Sequence, residues 1–157
     1  MIVFSNTTPI IALSSIQSLH LLPQLFGTIH LVNEVIEECE AGGPISVPAL
    51  REFDWIKPVK STDIQHSSIL LELDKGEKHT LDMACKQHAD WVIIDEKIGR
   101  NMAEYLGLRV TGTLGILLKA KQQGLISSFT DSVFAMQAHG IFFHTALIQK
   151  LAYSVGE

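Results

Sequence analysis

The sequence predicts an α/β fold, a mostly parallel sheet sandwiched between helices, and three observations carry that prediction. Short apolar runs, too brief for helices, recur near residues 2–6, 28–32, 91–95 and 108–112, with helix-patterned stretches between them. The clearest run, WVIID, is apolar without alternation and ends on a carboxylate, as a strand buried on both faces should. The 157 residues are 46% apolar and 18% charged, with no repeat, low-complexity tract or dividing linker. One domain spanning 1–157 is therefore expected, since ~100–200 residues is the usual domain size.

The elements follow in order. Residues 2–6 read as a strand. Thr7 or Thr8 can cap the next helix, and Pro9 suits a first turn because its absent N–H would have no partner there. SLHLLPQLF reads as a short helix interrupted or kinked by Pro23 and closed by Gly27, and TIHLV as the second strand. NEVIEECEA is helical, with Asn33 as its cap and Gly42-Gly43 as its stop. The turn-rich GGPISVPALREFDWIKPVKS reads as a loop with a short strand at WIKPV. Residues 63–73 show helical spacing through Ile64, Ser67, Ser68 and Leu71. After the punctuation of Asp74-Lys75-Gly76, a long helix is expected from about Glu77 to His88. Beyond WVIID, KIGRNMAEYL is helical, LRVTG a strand and TLGILLKAKQQG a helix closed by Gly124. Two last helices are expected at 128–138 and 144–154.

Bulk properties exclude several classes. A net charge of −5 argues against a broad nucleic-acid-binding surface, so any such contact must be local. The basic residues gather partly around Lys97, Arg100, Lys119 and Lys121, with Lys86 upstream, a grouping that also suits a solvated helix face. No apolar stretch approaches the ~20 residues of a membrane span, and Met1 leads into a strand without a basic leader, so the chain reads as cytoplasmic. Cys39 and Cys85 lack CxxC spacing and read as small core residues. The seven histidines show no zinc-ligand spacing, and no glycine-rich phosphate loop is present.

In a parallel sheet, ligands gather beyond the carboxyl ends of the strands. Asn6 ends the first strand, Asp95 ends WVIID, and Glu77 opens the helix before that strand. Glu34, Glu37 and Glu38 lie on the helix after the second strand, with Glu34 and Glu38 sharing a face. Each has a structural reading: Glu77 as a first-turn acid, Asp95 as a helix cap, the glutamates as solvated side chains. Together they ask for more, because carboxylates ~5 Å apart repel by about 3 kcal/mol per pair at an effective dielectric of ~20. A cation relieves that repulsion, and an oxygen-only donor set selects Mg²⁺ or Mn²⁺ over zinc.

FSNTTPIIALSSI, VIEECE, GEKHTLDMACKQHADWVIIDEKIGR and VTGTLGILLKAKQQGLI resemble, in order and spacing, the PIN-domain family. The GTLG run points to the VapC-like ribonuclease toxins of toxin–antitoxin pairs. The resemblance covers roughly residues 2 to 126. It implies a three-layer α/β/α domain whose acidic cluster binds Mg²⁺ or Mn²⁺ and hydrolyses RNA, with a small antitoxin protein as partner and a homodimer as assembly. It also implies that the metal positions fall on Asn6, Glu38, Glu77 and Asp95, with Glu34 or Glu37 as alternatives to Glu38. Thr7 and Thr8 resemble hydroxyl residues that orient a ligand or water, and Arg100 resembles an arginine that meets the scissile phosphate or a cluster carboxylate. The first motif usually reads Ser-Asp-Thr-Ser-Pro, so Asn6 stands where an acid is expected. Asn retains a carbonyl oxygen for ligation but neither charge nor basicity, and weak or absent nuclease activity follows. A non-catalytic PIN-like module that binds RNA or protein is the competing expectation.

Overall fold

The computed structural model describes residues 1–65, 68 and 70–157. Five strands, β1 (Val3–Ser5), β2 (Ile29–Val32), β3 (Ile56–Val59), β4 (Trp91–Ile93) and β5 (Val110–Thr111), form one sheet in the order β3-β2-β1-β4-β5. Every pairing is parallel. The strands are continuous apolar runs because helices cover both faces: Val3, Phe4, Ile29, Leu31, Val92 and Ile93 are fully buried. Only β3, at an edge, exposes its central residues Lys57 and Pro58, and an edge is where a strand tolerates proline.

The helices are α1 (Thr7–Ser15), α2 (Leu21–Phe26), α3 (Asn33–Glu40), α4 (Lys75–Lys86), α5 (Lys97–Tyr105), α6 (Thr113–Gln122), α7 (Phe129–Ala138) and α8 (Thr145–Ser154), with a 3-10 turn at Leu50–Glu52. Helix α3 packs on α4 and both meet β2, whereas α6 packs against α1, α2 and α7. This is the expected α/β/α arrangement. None of these helices is long and apolar enough to cross a membrane, among the described residues.

Several local expectations need correction. Helix α1 starts at Thr7, so Asn6 occupies the cap position and neither threonine does. Asn33 is likewise the first residue of α3, because β2 runs directly into that helix and leaves Val32 in the cap position. Pro23 sits in the first turn of α2 and kinks nothing. Helix α4 spans Lys75–Lys86, two residues earlier at each end than its sequence pattern suggested. His88, at φ 53°, takes the left-handed conformation that a glycine usually supplies after a helix.

The spacing in 63–73 does not produce a helix among the described residues; Ser67, and His66 among the histidines, lie outside them. Side chains of α4 hold this segment instead. Asp82 Oδ1 accepts from Gln65 N (3.0 Å), Lys86 Nζ donates to Thr62 Oγ1 (2.8 Å), and Leu70 and Leu73 are buried. Backbone groups satisfied by such tertiary partners have no need of a helical ladder. Cys39 and Cys85 are free thiols, Cys39 in the core. His30 is also a core residue: its ring stacks on Phe4 at 5.1 Å, and burial lowers its pKa.

Candidate functional site

Strands β2 and β3 extend the sheet to one side of β1, and β4 and β5 to the other, so the chain changes direction between β1 and β4. Open α/β sheets place ligands outside the carboxyl ends of the strands at such a switch point. Asn6 follows β1 there and Asp95 comes shortly after β4. The register pairs Ser5 with Ile93, and Asn6 N donates to Ile93 O at 2.9 Å.

Asn6 is 3% exposed, and its side chain makes no capping hydrogen bond to α1. Its Oδ1 is buried and has no hydrogen-bond partner among the described residues. Leaving such an acceptor unsatisfied costs about 1–3 kcal/mol. An asparagine at a helix start ordinarily satisfies an N–H of the first turn, and this one is turned to something else.

Asp95 is held at both oxygens. Thr113 N donates to Oδ1 at 2.7 Å and Thr113 Oγ1 to Oδ2 at 2.6 Å, so the carboxylate sits on the positive N-terminus of α6. It does not cap α5, whose cap position is Glu96. Thr113, fully buried, was not foreseen as a site residue; the GTLG run that contains it was the available signal.

Glu77 is the third residue of α4, and its N–H donates to Asp74 Oδ1 at 2.8 Å. The spacing D-x-x-E belongs to a capping box and was legible in the sequence. Yet the Glu77 side chain is buried at the site. Its pKa is pushed up to about 8, first by burial, then by hydrogen bonding with the Asp74 carboxyl and repulsion from Asp74, Glu96 and Glu38. Asp74 and Glu96 are thus charges at this edge that the sequence reading did not include.

Of the three glutamates on α3, Glu38 is the one tied to α1. Thr7 Oγ1 donates to Glu38 Oε2 at 2.8 Å. Glu34 lines the same depression as Glu38 and Asp74 and is engaged at one oxygen: its Oε2 accepts from Ser61 Oγ at 2.5 Å and lies 3.8 Å from His79 Nε2. Its pKa is lowered, for although burial acts upward, the Ser61 hydroxyl, a backbone N–H, His79 and Lys75 outweigh it. Glu37 is exposed on the wall of a shallow depression shared with Glu38 and Asp74. Arg100 Nη1 donates to Ile94 O at 3.1 Å, and no carboxylate forms an ion pair with it among the described residues.

Each of the three acids lies against a glycine. A Cβ at position 76 would stand 3.0 Å from Glu38 Oε2, one at 99 would stand 2.9 Å from Glu77 Oε2, and one at 112 would stand 2.6 Å from Asp95 Oδ1 and 2.8 Å from Arg100 Nη1. Backbone therefore approaches each carboxylate closely enough that a side chain at 99 or 112 would displace it, and one at 76 would press on Glu38. Gly112→Ala should cost about 1–3 kcal/mol through this overlap, read as a lowered urea midpoint at constant m. An unchanged midpoint would mean that Asp95 can leave Thr113 at no cost.

Glu38, Asp74 and Glu96 crowd Glu77 without forming a closed cage. Among the described residues no three His, Cys, Asp or Glu side chains are grouped closely enough to hold a metal ion by themselves. A hard cation here would also need the amide oxygen of Asn6, one of several buried oxygens without a hydrogen-bond partner among the described residues.

A family model, DUF3368, described as a PIN domain, matches residues 2–157. No curated protein and no solved structure matches the chain.

Proposed function

The chain belongs to the PIN-domain family, and from that premise we propose that it is a metal-dependent ribonuclease, the toxin of a toxin–antitoxin pair, with activity reduced by Asn6. PIN domains are nuclease-like and generally depend on divalent metals. The observation that carries the proposal for this chain is the buried, partnerless Oδ1 of Asn6 beside the β1/β4 switch. A hard cation would satisfy that oxygen and relieve the repulsion at Glu77.

Asn6, Glu38, Glu77 and Asp95 would hold Mg²⁺ or Mn²⁺. Such an ion, when bound, activates water and neutralises charge that develops on a phosphate. The protein's own groups do the positioning. Thr113 fixes both oxygens of Asp95, and Thr7 fixes one oxygen of Glu38. Glu77, whose pKa burial and neighbouring carboxyls raise, would have to be ionised to serve as a ligand. Arg100, with one N–H on Ile94, has further donors for a phosphate oxygen.

The GTLG run supports the VapC-like toxin subgroup, because its first glycine and threonine are the residues that seat Asp95. A small antitoxin protein, a cytoplasmic setting and a homodimer complete the proposal. Phe134 and Tyr153, 55% and 86% exposed on α7 and α8, supply apolar surface that a second copy would cover. The second reading, a non-catalytic PIN-like module that binds RNA or protein, is favoured by one observation: Asn6 carries no charge.

Calorimetric titration with Mn²⁺ tests the proposal without relying on turnover. Binding is expected, and Asp95→Ala is expected to abolish it. Binding that survives this substitution would remove the carboxyl edge from the account.

A further inference from the structure

We propose that the groove beside Asp95 and Arg100 seats an unpaired nucleobase of a single-stranded RNA, with Phe142 and Phe143 as its stacking platform. This rests on the ribonuclease reading above and adds to it a requirement for an unstacked base next to the cleaved bond.

The groove measures about 640 Å³ and has a mixed lining. Asp95, Glu96 and Arg100 supply its charged residues. Phe142 and Phe143, from the loop between α7 and α8, and Leu147 on α8 are among its apolar ones. Gly112 and Gly115 line the groove as well, and neither puts a side chain into it. Phe142 is 78% exposed and Leu147 45%. A lone exposed apolar residue needs no explanation, but these adjoin one another on the wall of a defined groove.

Charge selects the occupant. An arginine that gives one N–H to Ile94 and lines the same groove as two phenylalanines suits a nucleotide, which brings an anionic phosphate and a flat π-system together. A bare anion would leave the aromatic wall uncovered. An apolar segment of a second copy would cover the remaining Arg100 donors and the Glu96 charge without offering them partners, which is costly in an interface. Stacking is also tolerant of sequence, so the platform requires an unpaired base without dictating which base. Base-paired RNA cannot use it, because its bases already stack on one another.

The test is fluorescence anisotropy with a labelled oligouridylate in the presence of Mn²⁺, run on the chain as it stands and on Phe142→Ala and Phe142→Tyr. Phe142→Ala is expected to weaken RNA binding about tenfold, within the range of single stacking contacts. Phe142→Tyr should keep the affinity, and the Mn²⁺ isotherm should be the same for all three proteins. The same strand annealed to its complement should compete poorly. Unchanged affinity in Phe142→Ala, or equal competition by the duplex, overturns the platform and leaves the ribonuclease reading standing. Unchanged RNA affinity together with loss of a dimer in light scattering assigns the wall to a second copy and overturns it as well. If neither this chain nor Asn6→Asp binds the oligomer at all, the ribonuclease reading itself fails and the platform with it.

Discussion

Asn6→Asp raises Mg²⁺-dependent RNA cleavage at least about tenfold, the scale on which changes around a metal alter affinity or activity. The exchange alters one atom of the side chain and leaves its shape intact. Position 6 is 3% exposed, beside β4, and its Oδ1 has no hydrogen-bond partner among the described residues, so a carboxylate there finds no donor waiting for it in the protein. Two consequences separate this result from a general improvement in folding. Without metal, a charge at the buried position 6 adds to the carboxyls of Glu38, Glu77 and Asp95 at this edge, and the variant should melt lower. A destabilisation of about 2 kcal/mol corresponds to roughly 4–8 °C for a chain of this size. With saturating Mn²⁺ the order should reverse, because the ion binds the folded state more tightly when the donor is charged. Equal inertness of both proteins across several RNAs and both metals would falsify the catalytic reading and leave the binding module.

How much of this was legible beforehand depended on the range of the interaction concerned. Strands β1, β2 and β4 and helices α5 to α8 follow from periodicity and punctuation, which are local. Gly27 and Gly124 closed their helices as expected because a positive φ is a local demand. The caps at Thr7 or Thr8 and at Asn33 were misplaced by a residue or two, because where a strand turns straight into a helix the last strand residue or its neighbour takes the cap position. Asn6, Glu77 and Asp95 were readable as strand-end and helix-start polar residues, given a parallel sheet. Thr113, Asp74 and Glu96 were not singled out; Thr113 had the GTLG run as its signal and Asp74 its three-residue spacing from Glu77, and Glu96 had none. The hold of Thr113 on Asp95 comes from the approach of β4 to the start of α6, which no short window of sequence records. The glycines at 76, 99 and 112 belong to the same class: none has a positive φ, and each is needed for what lies across from it. The helical pattern in 63–73 failed for the converse reason, since tertiary hydrogen bonds from Asp82 and Lys86 supplied what a helix would have.

Glu77→Gln should stabilise the protein at alkaline pH while weakening the Mn²⁺ binding proposed above, a pairing that a merely structural glutamate does not give. The Glu77 carboxyl titrates at about 8 in the folded protein, against about 4.5 when its pKa is unperturbed. Between those values the folded state holds a proton that the unfolded state has released, so stability falls as pH rises through this window and the loss is complete above it. The natural residue should therefore be less stable at pH 9 than at pH 5, by about 2 kcal/mol once the water that reaches this edge is allowed for. Glutamine cannot ionise, and its stability curve should be flat across the same range. The expected observation is a pair of urea midpoints that coincide near pH 5 and separate by pH 9, with the glutamine variant higher. Mn²⁺ should then close the gap from the other side, raising the Glu77 protein and leaving Glu77→Gln where it was, and its binding to the former should strengthen with pH up to about 8 as the proton is displaced. Parallel pH curves for the two proteins would mean that Glu77 is already ionised and paired at neutral pH, and the crowding of Asp74, Glu96 and Glu38 around it would no longer argue for a cation.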